Sequence, residues 1–184
     1  MANGKEDRAR FGERQGRPGL DRPNGPLVWL HAASVGESLS LLPLIERLRA
    51  ARPDITPLVT TGTVTSARLL GERLPEGALH QYVPVDRPSW VRAFLDHWRP
   101  DLALWAESEF WPNLLRDTAD RGVPMVLLNG RISDRSFATW QKQRRLIGAL
   151  LGGFALCLGQ TARDAERLAA LGARRTGCVG NLKD

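Results

Sequence analysis

The sequence predicts an α/β fold in which a parallel sheet is covered by helices on both faces. Three observations predict it. From Pro26 onward, short apolar runs alternate with longer amphipathic segments. The runs are nearly continuous in apolar residues, as strands buried on both faces must be. No internal repeat or low-complexity tract breaks the alternation, and strand–helix alternation at this spacing gives a parallel sheet.

The elements follow in order. Residues 1–24 are charged and rich in Gly and Pro, and read as a mobile polar leader to a single domain over 25–184. The first strand is "PLVWLHAA" (26–33). A helix follows near 37–50, because Leu41, Leu44, Ile45 and Leu48 recur at i, i+3, i+4 and i+7. Pro43 is expected to kink that helix or split it. Further strands are read at "ITPLVTT" (55–61), "LHQYVPV" (79–85), "DLALWAE" (101–107), "PMVLLN" (124–129) and "FALCLGQ" (154–160), with a candidate seventh at "TGCVGN" (176–181). The remaining helices are expected near 64–73, 88–98, 111–121 (opened by Pro112), 135–151 and 161–171.

The bulk properties bound the function. At 184 residues, 42% hydrophobic and 25% charged, the chain is long enough for one medium domain with a real core. Its net charge of +6 favours anionic partners: phosphorylated ligands, nucleic acid or an acidic membrane surface. Cys157 and Cys178 have no CxxC spacing and read as two buried thiols. Residues 1–25 have no apolar signal-peptide core. The longest uncharged stretch, "LIGALLGGFALCLG" (146–159), is too short to span a bilayer.

In such folds ligands bind beyond the carboxyl ends of the strands, at the switch in strand order. After strand one comes Ser34-Val35-Gly36-Glu37. The S-x-x-E spacing is that of a capping box. A carboxylate turned into the cleft beside Gly36 would instead accept a proton from an attacking hydroxyl. Both readings stand on these residues. After strand two, "TTGTVTSA" (60–67) offers hydroxyls and free helix amides to an anion or a sugar. After strand four, "ESEFWPN" (107–113) places Glu107 and Glu109 before a helix. The common 3-2-1-4-5-6 order would bring them to the same crevice as Glu37. After strand five, "NGRISDRSFATWQKQRR" (129–145) sets Arg131, Arg135, Lys142, Arg144 and Arg145 against Asp134, with Phe137 and Trp140 between them. This reads either as a basic, aromatic face for phosphate or membrane contact, or as a solvated helix face. His31, His80 and His97 lack the spacing of a metal pair on one helix.

Six segments together resemble the bacterial 3-deoxy-D-manno-octulosonic acid (Kdo) transferases. They are "WLHAASVGE" (29–37), "LVTTGTVTSA" (58–67), "HQYVPVD" (80–86), "ALWAESEFWPN" (103–113), "LLNGRISDRSF" (127–137) and "GNLK" (180–183), in the family's order. The resemblance implies a Rossmann-like N-terminal half of a two-domain GT-B glycosyltransferase, the half that binds the acceptor. A C-terminal half binding CMP-Kdo would lie outside this chain, which is then not expected to be active alone. The family's N-terminal hydrophobic anchor would precede Met1. The implied reaction is inverting, metal-independent and without a cofactor. It moves Kdo from CMP-Kdo to the lipid A precursor, lipid IVA, at the cytoplasmic face of the bacterial inner membrane. Partners would be the lipid A precursor, CMP-Kdo and the anionic membrane surface, with no nucleic acid.

The resemblance matches Glu37 to the family's catalytic base. It places Ser34, Gly36, Thr60, Thr61, Thr63, Glu107, Glu109, Asn113, Arg131, Ser133, Arg135 and Ser136 in the acceptor site or cleft. Arg131 and Arg135 would pair with acceptor phosphates, and Asn181 and Lys183 would lie toward the donor side. Phe110, Gly130 and Asp184 depart from the family's usual Leu, Ala and aromatic residue. Two rivals remain: another GT-B transferase with a lipid-linked acceptor, and a non-catalytic module binding anionic lipid.

Overall fold

The computed structural model describes residues 7–107 and 109–182. Seven strands form one sheet in the order β3-β2-β1-β4-β5-β6-β7. They are β1 (Leu27–His31), β2 (Thr56–Thr61), β3 (Leu79–Tyr82), β4 (Leu102–Ala106), β5 (Met125–Gly130), β6 (Leu156–Gly159) and β7 (Thr176–Cys178). The pairs β1/β2, β2/β3, β5/β6 and β6/β7 are all parallel. The helices are α1 (Phe11–Arg14), α2 (Val35–Ala51), α3 (Val64–Arg73), α4 (Pro88–Trp98), α5 (Pro112–Asp120), α6 (Asp134–Gln141), α7 (Arg144–Gly152) and α8 (Ala162–Leu171). The expected alternation is thus present, including the seventh strand. The chain forms two compact units, Met1–Ala103 and Leu104–Asp184.

In the first unit every residue of β1 is buried, so both faces of that strand are covered. Trp29, Leu30, Leu58, Val59, Phe94 and Trp98 form its fully buried centre. Trp29 packs on Phe94 at a ring distance of 5.1 Å and donates its indole N–H to Thr60 Oγ1 at 2.8 Å. Trp98 donates to Gln81 Oε1 at 2.8 Å. Each large ring therefore brings its own polar partner into the core, which avoids the cost of an unmet buried donor. Helix α2 buries Leu41 and Ile45 and half-buries Leu44 and Leu48. It is not split at Pro43 but continues through it: packing of that apolar face outweighs the one hydrogen bond a proline removes.

The segment read as a mobile leader carries structure from Asp7 onward. The short helix α1 sits against the edge strand β3. Glu13 is buried, and its Oε2 accepts the Tyr82 backbone N–H at 2.8 Å. Arg10 forks onto the same carboxylate at 2.8 and 2.9 Å, and lies over the Tyr82 ring at 4.8 Å. It also reaches His80 Nδ1 at 3.0 Å. A guanidinium only donates, so that nitrogen is the acceptor and Nε2–H donates to Thr61 Oγ1 at 2.9 Å. His80 is thereby fixed neutral, and burial together with the Arg10 charge lowers its pKa to about 4. Gly16, at φ +76°, brings the backbone up against the Trp90 carbonyl where no Cβ would fit. Composition alone hid this docking, because the residues responsible are charged.

The second unit departs from expectation in two places. One helix was read over 135–151, and there are two, α6 and α7, separated at Lys142–Gln143. Neither Gly nor Pro marks that break. Both cysteines were read as buried. Cys157 is buried, and burial pushes its thiol up to about 12, whereas Cys178 on the edge strand β7 is exposed. Pro112 opens α5 as expected.

Two measurements test the α1 docking. Gly16→Ala adds a steric conflict to a left-handed residue, at a cost of about 2 kcal/mol; differential scanning calorimetry should show Tm lowered by about 4–8 °C. His80 titrates at about 4 in the folded chain against about 6.5 unfolded. Its stabilising effect is complete above pH 6.5 and lost as pH falls toward 4, because only the unfolded chain takes up the proton. Urea unfolding at pH 7.5 and pH 5 should show wild type losing on the order of 1–2 kcal/mol more than His80→Gln.

Candidate functional site

In the first unit the candidate residues begin in the turn after β1. Ser34 is the N-cap of α2, and its Oγ accepts the Glu37 N–H at 3.2 Å. Glu37 is buried, with 7% exposure. Its Oε1 accepts the Ser34 hydroxyl at 2.9 Å, and its Oε2 accepts the Ala33 backbone N–H at 2.7 Å. A capping box would return the carboxylate to the N-cap amide. Here it reaches one residue further back, onto the chain leaving β1. Each carboxylate oxygen keeps one lone pair. A Cβ on Gly36 would meet nothing within 4 Å, so the first turn beside the carboxylate is open. The geometry is thus a cap and also a held carboxylate able to accept a further proton.

The threonines after β2 divide. Thr63 is exposed and caps α3, accepting the Ser66 N–H at 3.1 Å. Thr60 and Thr61 are fully buried. Thr60 Oγ1 holds the Trp29 indole and lies 3.0 Å from His31 Nδ1, and Thr61 Oγ1 holds His80. Both were expected to line an open pocket; their hydroxyls instead satisfy polar groups in the core. His31, the last residue of β1, is also fully buried.

In the second unit the candidate residues lie in the turns after β4 and β5. Glu107 is half-buried just past β4, at φ +56°, and donates its N–H to the Leu128 carbonyl at 2.8 Å. A left-handed glutamate is uncommon and costs about 1 kcal/mol. The carbonyl of Glu109 accepts the Trp105 indole at 2.5 Å, and Trp111, two residues on, is the N-cap of α5. Asn113, in the first turn of α5, opens onto a groove of about 450 Å³ shared with Leu115, Leu146 and Leu150.

Near the end of β5, at an irregularity in its pairing with β6, stands Asn129, at φ +54° and 4% exposure. Its Oδ1 accepts the Leu182 N–H at 3.2 Å, and its buried Nδ2 has no hydrogen-bond partner among the described residues. Arg131, Ser133 and Arg135 follow, all exposed. Ser133 caps α6, accepting the Ser136 N–H at 3.1 Å and donating to Ser136 Oγ at 2.9 Å. Asp134, held by Arg167 and Arg163, titrates below the usual carboxylate range. Asn181 is half-buried beside Leu182, and Lys183 lies outside the described residues.

Sequence reasoning missed Asp164, Arg167 and Asn129. Thr161-x-x-Asp164 does show the capping-box spacing, and the box is present. Its second use, described below, depends on tertiary packing. Among the described residues no cluster of three His, Cys, Asp or Glu side chains has the arrangement of a metal site. None of the described helices is long and apolar enough to cross a membrane.

Residues 8–184 match the family described as 3-deoxy-D-manno-octulosonic-acid transferase (kdotransferase). The chain is 37% identical over 180 residues to the 3-deoxy-D-manno-octulosonic acid transferase of Rickettsia bellii, covering 98% of this chain and 43% of that protein. It is 36% identical over 180 residues to the enzyme of the same name from Bordetella pertussis, covering 95% and 41%. The chain therefore spans about two fifths of the length of these relatives. Among solved structures, it resembles a UDP-GlcNAc 2-epimerase from Neisseria meningitidis bound to UDP-GlcNAc (TM-score 0.62, 10% identity, 85% of this chain and 47% of that one). It also resembles MnaA of S. aureus in complex with UDP (TM-score 0.61, 12% identity, 86% and 46%). At such identities the likeness is one of fold, and it makes this sheet a Rossmann-like half of the GT-B kind. The ordered motifs and the match over nearly the whole chain agree: the chain belongs to the Kdo transferase family.

Proposed function

We propose that this chain is the acceptor-binding half of a glycosyltransferase that moves Kdo from CMP-Kdo to lipid IVA at the cytoplasmic face of the inner membrane. The observation that carries the proposal is Glu37: a buried carboxylate held by the Ala33 N–H and the Ser34 hydroxyl, at an open helix N-terminus. In this reading Glu37 takes the proton of the acceptor's primary hydroxyl as its oxygen attacks the anomeric carbon of CMP-Kdo. The bond from that carbon to the CMP oxygen breaks, CMP leaves, and the configuration inverts. The transition state has oxocarbenium character. The CMP phosphate leaves without strong acid assistance, so the step is read as independent of metal and cofactor. A base held in place by two hydrogen bonds needs no reorganisation when the hydroxyl arrives.

Arg131 and Arg135 are assigned to the acceptor phosphates. Guanidinium groups suit phosphate because their fork matches its oxygens. The segment around them supports contact with an anionic bilayer as well: residues 135–163 contain five cations and neither Asp nor Glu. That observation alone would also suit a non-catalytic lipid-binding module, which gives Glu37 no chemical task.

Two substitutions separate these readings in a polypeptide joining this chain to a CMP-Kdo-binding half. Glu37→Gln keeps acceptance from the Ala33 amide and removes the base. Kdo transfer should fall by about 10²–10⁴-fold with little change in Tm; transfer within a few-fold of wild type would leave Glu37 as a cap only. Reversing the charges of Arg131 and Arg135 to Glu should raise the acceptor KM roughly tenfold or more. An unchanged KM would remove the phosphate assignment.

A further inference from the structure

We propose that Asp164 and Arg167 of α8 are positioning residues that hold the Arg131–Arg135 loop in the shape that presents its cations to phosphate. The proposal rests on the phosphate reading above.

The grip centres on one residue. Ile132 is buried, at 1% exposure. Its N–H donates to Asp164 Oδ1 at 2.8 Å, and its carbonyl accepts from Arg167 Nη1. Asp164 and Arg167 lie three residues apart, on one face of α8. Both polar groups of Ile132 are therefore held by side chains from a single rigid element. The Asp164 carboxylate is itself locked, because its Oδ2 accepts the Thr161 hydroxyl at 2.7 Å and the Thr161 N–H at 3.2 Å.

Arg167 holds two further points. Its other arm donates to Asp134, the first residue of α6, and its guanidinium lies 5.4 Å from the Phe137 ring centre. The side chain is only 14% exposed. So Arg167 faces inward and its donors serve the loop, whereas Arg131 and Arg135 on either side of the grip are exposed. Arg163 adds a second contact to Asp134 at 2.9 Å. A loop held at 132, 134 and 137 meets its ordering cost on folding, and none of that cost falls on ligand binding.

The test uses the whole chain and phosphatidylcholine vesicles carrying either lipid IVA or its dephosphorylated form, with binding read by co-sedimentation. Arg167→Met keeps the apolar stem. It should weaken binding to the phosphorylated vesicles about tenfold and leave the dephosphorylated ones unaffected. Arg167→Lys keeps the charge but cannot fork between Ile132 and Asp134, and should remain at least threefold weaker than wild type. In an Arg131→Gln/Arg135→Gln background, Arg167→Met should have no further effect. Circular dichroism establishes that each variant is folded, and Arg167→Lys serves where Arg167→Met is not. Full rescue by Lys, equal loss on both kinds of vesicle, or additive losses would overturn the positioning role. Normal binding by Arg167→Met beside weak binding by the Arg131/Arg135 variant would overturn it alone. Normal binding by the Arg131/Arg135 variant would overturn the phosphate reading and this proposal together.

Discussion

Backbone amides that no strand or helix can satisfy set the layout of this molecule, and carboxylates meet them. Glu13 takes the Tyr82 N–H, Glu37 that of Ala33, Asp101 that of Leu27 at 2.8 Å, and Asp164 that of Ile132. In each case the acid comes from a different element or turn than the amide it serves. A buried amide left unmet costs about 1–3 kcal/mol, and a charged acceptor gives a stronger bond than a neutral one. These four contacts lie where the chain enters or leaves a strand. They therefore fix the direction of each loop before any ligand is considered. The candidate base is one member of this set, so its role in the scaffold and its proposed chemistry have the same geometric origin.

The arginines divide in a related way. Arg14 donates to the Val83 carbonyl, Arg22 to those of Trp98 and Gly25, and Arg49 to those of Pro53 and Ile55. These cations tie down carbonyl groups at turns, which commits their donors to the scaffold. Lys142, Arg144 and Arg145 are exposed at the start of α7 with no acid nearby in sequence. The net charge of +6 is thus a poor guide to where an anion would bind, and the location of each guanidinium is a better one.

Periodicity made the fold legible. The apolar runs of β1, β2, β4, β5 and β6 announced themselves because every residue in them is buried or half-buried, β1 throughout. What stayed hidden was polar and tertiary. Thr60 and Thr61 look like ligand-binding hydroxyls, and only the position of Trp29 and His80 shows that the core needs them. Glu13 looks like a solvated charge in a loose leader, and only the edge of β3 gives it a partner. Of the candidate site, Ser34, Gly36, Glu37, Arg131 and Arg135 were legible because they follow strand ends. Asp164 was legible as a helix cap, while its hold on Ile132, 32 residues away in sequence, was not.

The contrast between the two cysteines has a practical side. Cys157 is buried and its thiol is held protonated well above neutral pH, while Cys178 is exposed on the edge strand β7, its sulfur 3.8 Å from the Gln160 carbonyl. A maleimide fluorophore would therefore attach at a single native position, four residues before Leu182, whose N–H donates to Asn129. The natural sequence already carries a site-specific optical label point, and the same thiol is the one to protect with reductant during purification, since it alone is placed to cross-link two copies of the chain in air.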